Sequence, residues 1–319
     1  MKIAALFRCN LAAYAALGLG LAAPAFAQAP QPVKTVASFS ILGDMVRAVG
    51  GGRVAVTTLV GPDGDTHVFQ PAPGDVRAVA DAKAVFVNGL GFEGWMERLA
   101  QSAGFKGVTV VASSGVRTQK MKDADDHGHA KAKDAKKDDR DKLDPHAWQD
   151  LRNALVYVAN IEKGLSAADP AGAETYRANA AAYRKQLQEL DAWVRTEIAA
   201  IPKAKRKVIT SHDAFGYFAS AYGVEFLAPV GVSTDAEPSA KGVAALIRQI
   251  RREKIAALFV ENITNPRLIE QIGKETGVRP GPRIYSDALS RPGGPADSYA
   301  GMFRHNVSTL KAAMLGGTS

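Results

Sequence analysis

Short apolar runs alternate along the chain with segments in which apolar residues recur every three or four positions. Runs of the first kind predict buried strands, and segments of the second kind predict helices. The first half is predicted to contain strands at 33–37, 54–60, 83–88 and 108–112, with helices at 41–49 and 94–103. This order indicates strands that run parallel and are joined by helices.

The second half repeats the alternation. Its predicted strands lie at 207–210, 224–227, 256–260 and 283–285, and its predicted helices at 214–222, 239–252, 267–277 and 298–315. Strand followed by helix, repeated, is typical of parallel sheets covered by helices on both faces. The fold class predicted for the chain is therefore α/β, with one sheet in each half.

A long helical stretch separates the two halves. Asp169 and Pro170 form a favourable start, residues 171–200 are rich in good helix formers, and Pro202 ends the stretch. About 30 residues at 1.5 Å each give a helix of roughly 45 Å. We interpret it as a rigid helix that joins two lobes; the alternative is an ordinary long helix within one domain.

The first residues have the pattern of an export signal. Lys2 and Arg8 precede an apolar run at 11–21, and a small-x-small site follows at 25–27. This pattern predicts a signal peptide, residues 1–27, that is removed on export. A membrane anchor is the alternative, but the run is short for a bilayer span. We expect a soluble periplasmic protein.

The cysteine content and the net charge limit the kinds of binding site that the chain can form. The only cysteine, Cys9, lies inside the predicted signal peptide and before its apolar run, too early to carry a lipid after cleavage. A metal site in the exported chain must therefore use His, Asp, Glu or backbone ligands. The formal net charge is +8, but the one basic cluster, 205–207, is short and no nucleic-acid motif accompanies it. We expect no nucleic-acid partner.

One segment, residues 120–142, has almost no large apolar side chain. It cannot form a core and is predicted to be a mobile charged loop. His127 and His129 lie within it. These histidines could capture metal loosely, or they could be incidental members of a solvated loop.

Four other side chains occupy positions that suit a ligand site. His67 and His212 follow predicted strands, Asp287 follows another, and His146 lies in the segment Asp-Pro-His-Ala-Trp. Ligands of open α/β sheets gather beyond the carboxyl ends of strands. Position alone leaves open whether each residue binds a ligand or has a structural role.

Several segments together resemble a known family. They are GPDGDTHVFQPAP at 61–73, DPHAWQD at 144–150, SHDAFGYFASAYG at 211–223, EPS at 237–239 and YSDALS at 285–290. In this order, the chain resembles the periplasmic metal-binding components of ABC transporters for zinc and manganese, the cluster A-I or zinc-uptake type.

The resemblance implies two α/β lobes with the metal between them. The amino-terminal lobe would span 28–168 and the carboxy-terminal lobe 203–319, joined by one linking helix at 169–202. The resemblance also implies the metal ligands: His67 and His146 from the first lobe, and His212 and Asp287 from the second.

Three imidazoles and one carboxylate suit a four-coordinate zinc ion. Within the family, histidine at the position of His212 is typical of zinc proteins, whereas many manganese proteins have glutamate there. Zn²⁺ is therefore the predicted ligand and Mn²⁺ the alternative. Asp65, Asp213 and Glu261 are candidates for hydrogen bonding to the second nitrogen of the ligand rings.

The resemblance implies transport without catalysis: the protein captures zinc and delivers it to a membrane ABC permease and its ATPase. A periplasmic metal chaperone is a further partner to consider, and we expect a monomer. A manganese- or iron-binding protein of the same family is the first alternative. A binding protein for an organic solute, a surface adhesin and a zinc hydrolase are others, but the chain has no His-Glu-x-x-His motif.

Overall fold

A computed structural model describes residues 31–121, 143–235, 237–255 and 257–316. The predicted signal peptide lies outside the described residues, and so does most of the charged segment, including His127 and His129. Within the described residues, no helix is both long and apolar enough to cross a membrane.

The described residues of the first half, 31–121, contain four strands and three α-helices. They are β1 (Val33–Phe39), α1 (Ser40–Gly50), β2 (Val54–Val60), α2 (Pro73–Asp81), β3 (Ala84–Val87), α3 (Met96–Ser102) and β4 (Val108–Val111). Helix α2 was not predicted. It starts at Pro73, where Asp75 accepts a hydrogen bond from the Ala72 backbone N–H and so satisfies a free donor at the helix start.

The four strands form one parallel sheet in the order β2-β1-β3-β4. All four residues of β3 are buried, as expected for a central strand with both faces covered. Phe39 pairs with Val60 and Val87 with Val111, so the strands end at a common edge. Loops that leave this edge carry the candidate site.

The described residues from 143 onward contain three short strands and six α-helices. They are α4 (Leu151–Ala168), α5 (Ala173–Ala199), β5 (Lys207–Ile209), α6 (Gly216–Tyr222), β6 (Glu225–Leu227), α7 (Ala240–Glu253), β7 (Ala257–Leu258), α8 (Arg267–Thr276) and α9 (Tyr299–Leu315). The strands form a second parallel sheet in the order β6-β5-β7. The predicted α/β class with parallel sheets and flanking helices is confirmed.

The predicted strand at 283–285 is wrong in extent. Only Ile284 forms a parallel bridge, to Glu261, and a second bridge joins Pro280 to Leu258. Pro280 and Pro282 lack the N–H groups that a continuous ladder needs. The chain here runs beside β7 without becoming a regular strand.

Helix α5 has 27 residues, which at 1.5 Å each is about 40 Å. It packs against α1 and α4, which precede it in the sequence, and against α6 and α9, which follow it. Its buried side chains recur every three or four residues: Tyr176, Ala180, Tyr183, Leu187, Leu190, Val194 and Ile198. The helix thus contacts both halves of the chain through one apolar stripe.

The residues before α5 differ from the prediction. Asp169 does not cap the helix with its side chain; a 3-10 turn at Pro170–Gly172 comes first. The Asp169 carboxylate instead accepts hydrogen bonds from Arg53 at 2.9 Å and from the Tyr176 hydroxyl at 2.6 Å. It therefore ties the start of α5 to the end of α1.

Two apolar clusters stabilise the described part of the chain. The larger cluster combines residues of the first sheet with residues of α5, α6, β6 and α9. The smaller cluster combines residues of the second sheet with residues of α7 and α8. The described residues from Pro32 onward form one compact unit. The division into segments 28–168, 169–202 and 203–319 stays a prediction.

Candidate metal centre

The loop that carries His67 leaves the carboxyl end of β2. Asp63 adopts a left-handed backbone conformation, with φ of 57°, and the turn brings the Gly64 N–H to the Gly61 carbonyl at 3.2 Å. Asp65 then accepts a hydrogen bond from the His67 backbone N–H at 2.9 Å. These local bonds turn the loop and aim the His67 ring at the centre of the site.

His146 is oriented by its own neighbours in sequence. One oxygen of Asp144 accepts from both the His146 backbone N–H, at 2.9 Å, and the ring Nδ1, at 2.8 Å. Four residues further on, Asp150 caps α4 by accepting from the Arg152 backbone N–H. The segment 144–150 thus orients the ring and starts the next helix.

His212 and Glu261 follow neighbouring strands of the second sheet. Because β5 and β7 are parallel and adjacent, their carboxyl ends place these two residues side by side. One Glu261 oxygen accepts from the His212 backbone N–H at 2.8 Å, and the other lies 2.7 Å from the ring Nδ1. This second contact has the distance of an ion pair, but its alignment is poorer than that of a hydrogen bond.

Asp287 lies at the centre of the arrangement. Its carboxylate is 3.1 Å from Nε2 of His67, 3.2 Å from Nε2 of His212 and 3.6 Å from Nε2 of His146. The side chains of His146, His212 and Asp287 are fully buried, and that of His67 is 6% exposed. The site is therefore closed from solvent except beside His67.

The four predicted residues converge. One ligand atom from each of them lies within 4.8 Å of all the others. The three imidazole rings form a nearly equilateral triangle, with centroids 5.5–5.8 Å apart. No other group of histidines and carboxylates in the described residues has such an arrangement.

The buried charges of the site perturb each other. Burial alone would raise the pKa of Asp287, but the neighbouring His146 and His212 outweigh burial and hold the pKa well below its usual range. Burial also lowers the pKa of His146, but the carboxylates of Asp287 and Asp144 outweigh it and raise the pKa to about 9. The pKa of His212 is likewise raised by Glu261 and Asp287 against burial. The carboxylates thus favour protons on both rings, and a metal ion that binds here would displace them.

Two buried atoms at the centre of the site bear on whether a metal ion fits there. Nε2 of His146 and Oδ1 of Asp287 are buried and have no hydrogen-bond partner among the described residues. Unsatisfied buried polar atoms are unfavourable unless something else binds them. Both are metal-ligand atoms, and three imidazole nitrogens with one carboxylate oxygen match a four-coordinate zinc site.

Aromatic side chains surround the cluster on the amino-terminal side. Phe92 packs edge-on against His67, with centroids 4.9 Å apart, and Trp148 packs against His146 at 5.3 Å. An apolar wall limits water access and strengthens electrostatic contacts inside the site. Neither residue was singled out by sequence reasoning.

The predicted supporting carboxylates have different roles. Glu261 contacts the ring of His212, as expected. Asp65 bonds the backbone of His67 and accepts from the Thr234 hydroxyl at 2.6 Å. Asp144, which supports His146, was missed, although an aspartate two residues before a ligand histidine is a readable signal.

Comparison with known proteins identifies relatives of this chain. The profile of a family described as ZnuA, zinc-uptake complex component A, periplasmic, matches residues 35–313. The manganese-binding lipoprotein MntA of Halalkalibacterium halodurans is 32% identical, over 98% of this chain and 99% of that protein. The iron ABC transporter substrate-binding lipoprotein MtsA of Streptococcus pyogenes serotype M1 is also 32% identical, over 88% and 89%.

A solved structure has the same fold. The periplasmic zinc-binding protein TroA from Treponema pallidum superposes with a TM-score of 0.79 and 28% sequence identity. The match covers 89% of this chain and 99% of that one. The relatives therefore share the architecture over nearly their whole length, while their names include zinc, manganese and iron.

Proposed function

Because this chain belongs to the family of periplasmic zinc-uptake components, metal-binding proteins of ABC transporters that are not enzymes, we propose that its cargo is zinc. We further propose that His67, His146, His212 and Asp287 bind the ion. The convergence of their four ligand atoms within 4.8 Å, in a largely buried place, is the observation that carries the proposal.

The donor set supports zinc over manganese. Three of the four ligand atoms are imidazole nitrogens, and such sites bind zinc more strongly than manganese. Carboxylates beside the second ring nitrogens of His146 and His212 raise the basicity of these ligands. Manganese is the second candidate because relatives of similar identity are named as manganese-binding proteins.

The proposed process is capture and delivery. The protein binds zinc in the periplasm and presents it to the membrane permease, whose ATPase drives uptake. We propose that it acts as a free monomer after removal of residues 1–27, although several relatives are named lipoproteins. The mass of the exported protein tests this: an amino terminus at Gln28 without lipid is expected, and a lipid adduct would contradict it.

The first experiment measures the metal content and competitive affinities of the exported protein, beside His212→Ala and Asp287→Ala. One zinc per chain, held against excess manganese and weakened in both variants, is the expected result. Tight manganese or iron binding at the same residues would replace zinc as the cargo. If no metal binds stoichiometrically after reloading, the proposal is wrong and an organic solute becomes the first alternative.

A further inference from the structure

Asp287 lies in an irregular segment, residues 284–289, that belongs to no helix and no strand. Its two ends make backbone hydrogen bonds to neighbouring segments, and side chains from distant parts of the chain satisfy backbone groups in between. Asn306 on α9 accepts from the Tyr285 N–H at 3.0 Å and donates to the Tyr285 carbonyl at 2.7 Å. The position of the middle of the segment therefore depends on side chains rather than on its own secondary structure.

The carbonyl directly before Asp287 has two donors. The Ser286 carbonyl accepts from Nε1 of Trp148 at 3.0 Å and from Nε2 of Gln149 at 2.8 Å. Ser286, Trp148 and Gln149 are at most 1% exposed. Both donors follow His146 within three residues, so the bonds connect the immediate neighbours of two candidate ligands.

Trp148 is itself held in place. Its ring packs against Phe39, with centroids 4.9 Å apart, and against Phe92 at 4.8 Å. Its backbone carbonyl accepts a hydrogen bond from the Tyr299 hydroxyl. A donor fixed by packing on one side and by a hydrogen bond on the other can hold its acceptor at a defined position.

We propose that Trp148 and Gln149 are positioning residues for metal binding, which fix the carboxylate of Asp287 opposite His146 through the Ser286 carbonyl. This inference rests on the proposed function, since it assumes that the four-residue site binds zinc. Oδ1 of Asp287 and Nε2 of His146 are 3.6 Å apart and neither has a hydrogen-bond partner among the described residues. The hydrogen bonds from Trp148 and Gln149 to the Ser286 carbonyl fix this distance before the ion binds.

The paired donors make a specific prediction. When one donor is removed, the other still satisfies the Ser286 carbonyl. When both are removed, a buried carbonyl loses all its partners, which is unfavourable enough to shift the segment. The two losses should therefore be synergistic in their effect on zinc binding.

The test is a double-mutant cycle in the full exported protein. Trp148→Phe keeps an aromatic ring without the N–H, and Gln149→Met keeps the length without the amide. Asn179→Leu is the matched control, because it removes a side-chain amide bond to a backbone carbonyl, that of Val49, far from the site. Zinc affinity, the zinc dissociation rate, the melting temperature of the metal-free protein and the absorption spectrum of the cobalt form are measured for each.

We expect each single variant to lose about threefold or less in zinc affinity, and the double variant about 30-fold or more. The double variant should also release zinc faster and show an altered cobalt spectrum. The control should lose thermal stability without any change in affinity or spectrum.

Additive losses, or an unchanged cobalt spectrum in the double variant, would overturn the proposal and leave a purely structural role. If the double variant does not fold, the singles decide. Each should release zinc faster, up to about threefold, because one hydrogen bond holds the Ser286 carbonyl less firmly than two. An unchanged zinc dissociation rate in both singles would overturn the proposal. A wild-type protein that binds no zinc would contradict the proposed function instead, so the two failures are distinguishable.

Discussion

The two halves of the chain build their sides of the metal centre differently. In the first half, His67 and His146 are each oriented by an aspartate two residues earlier, Asp65 and Asp144. In the second half, the partner of His212 is Glu261, which is 49 residues away and on a neighbouring strand. The first side is therefore set by local chain geometry, whereas the second depends on a correctly formed sheet.

Solvent access separates His67 from the other three candidate ligands. His67 has an exposed edge, whereas His146, His212 and Asp287 are fully buried. The second half thus contributes two ligands to the closed floor of the site, and the first half contributes one buried ring and one ring at the rim. Loss of a buried ligand should be more damaging than loss of His67, because water cannot easily replace it.

The largest loss of zinc affinity is expected when the central ligand, Asp287, is removed. Asp287→Ala removes the carboxylate that contacts all three imidazoles, and zinc affinity should fall more than about 100-fold. Competition with a chelator of known affinity measures it. Asp81→Ala is the control, since Asp81 is exposed and pairs only with Lys34 at the surface; an equal loss there would contradict the site.

The two halves can be compared directly with His212→Ala and His67→Ala. The first variant should lose about tenfold more zinc affinity than the second, because water can occupy the ligand position at the exposed edge beside His67. Titration of both variants under the same buffer conditions tests the difference. Equal losses would show that the rim and the floor of the site are equivalent.

Substitution of the carboxylates that contact the ligand histidines should reduce zinc affinity less than loss of a ligand. Glu261→Gln and Asp144→Asn keep size but remove charge, and each should weaken zinc binding about 10- to 100-fold. Glu261→Gln should be the stronger of the two, because the Glu261 side chain is fully buried whereas that of Asp144 is 7% exposed. A larger loss of zinc affinity in Asp144→Asn than in Glu261→Gln would contradict this order.

Zinc binding should also depend on pH. The pKa of His146 is raised to about 9, so in the metal-free protein the ring is protonated at neutral pH and zinc must displace a proton. Affinity should therefore fall about tenfold per pH unit for each proton displaced as pH decreases below 9. Calorimetry in buffers of different ionisation enthalpy counts these protons; no proton release at pH 7 would contradict the prediction.

The smallest effect is expected in overall shape. Helix α5 contacts both halves through one continuous stripe, which predicts limited movement of the halves on metal binding. Small-angle scattering of the metal-free and zinc-bound protein should give the same radius of gyration within error. A clear decrease on binding would show hinge closure and contradict a rigid connection.

Much of this architecture could be predicted from the sequence because the strands are short runs rich in apolar and β-branched residues. The predicted strand 54–60 is observed with the same bounds, as β2. The prediction at 283–285 was wrong because prolines interrupt a segment with a strand-like pattern. Apolar patterning reports burial well, but it does not report missing N–H donors.

The four candidate ligands were predicted through the resemblance, and the structure brings them together. Their supports were predicted only in part. Glu261 was a candidate because strand ends converge, whereas Asp144 and the donors to Ser286 were missed. Such contacts depend on side-chain direction and on segments without regular structure, which periodicity does not describe.

The segment 144–150 has a consequence for protein engineering. It contains a candidate ligand ring, the carboxylate that orients Nδ1 of that ring, and the aspartate that starts the following helix. All of these contacts lie within nine residues of sequence, up to the backbone N–H of Arg152. Transplanted to another loop that precedes a helix, the segment would keep these short-range bonds to the ring, and the new site would need to supply the packing that Phe39, Phe92 and Tyr299 give to Trp148 here.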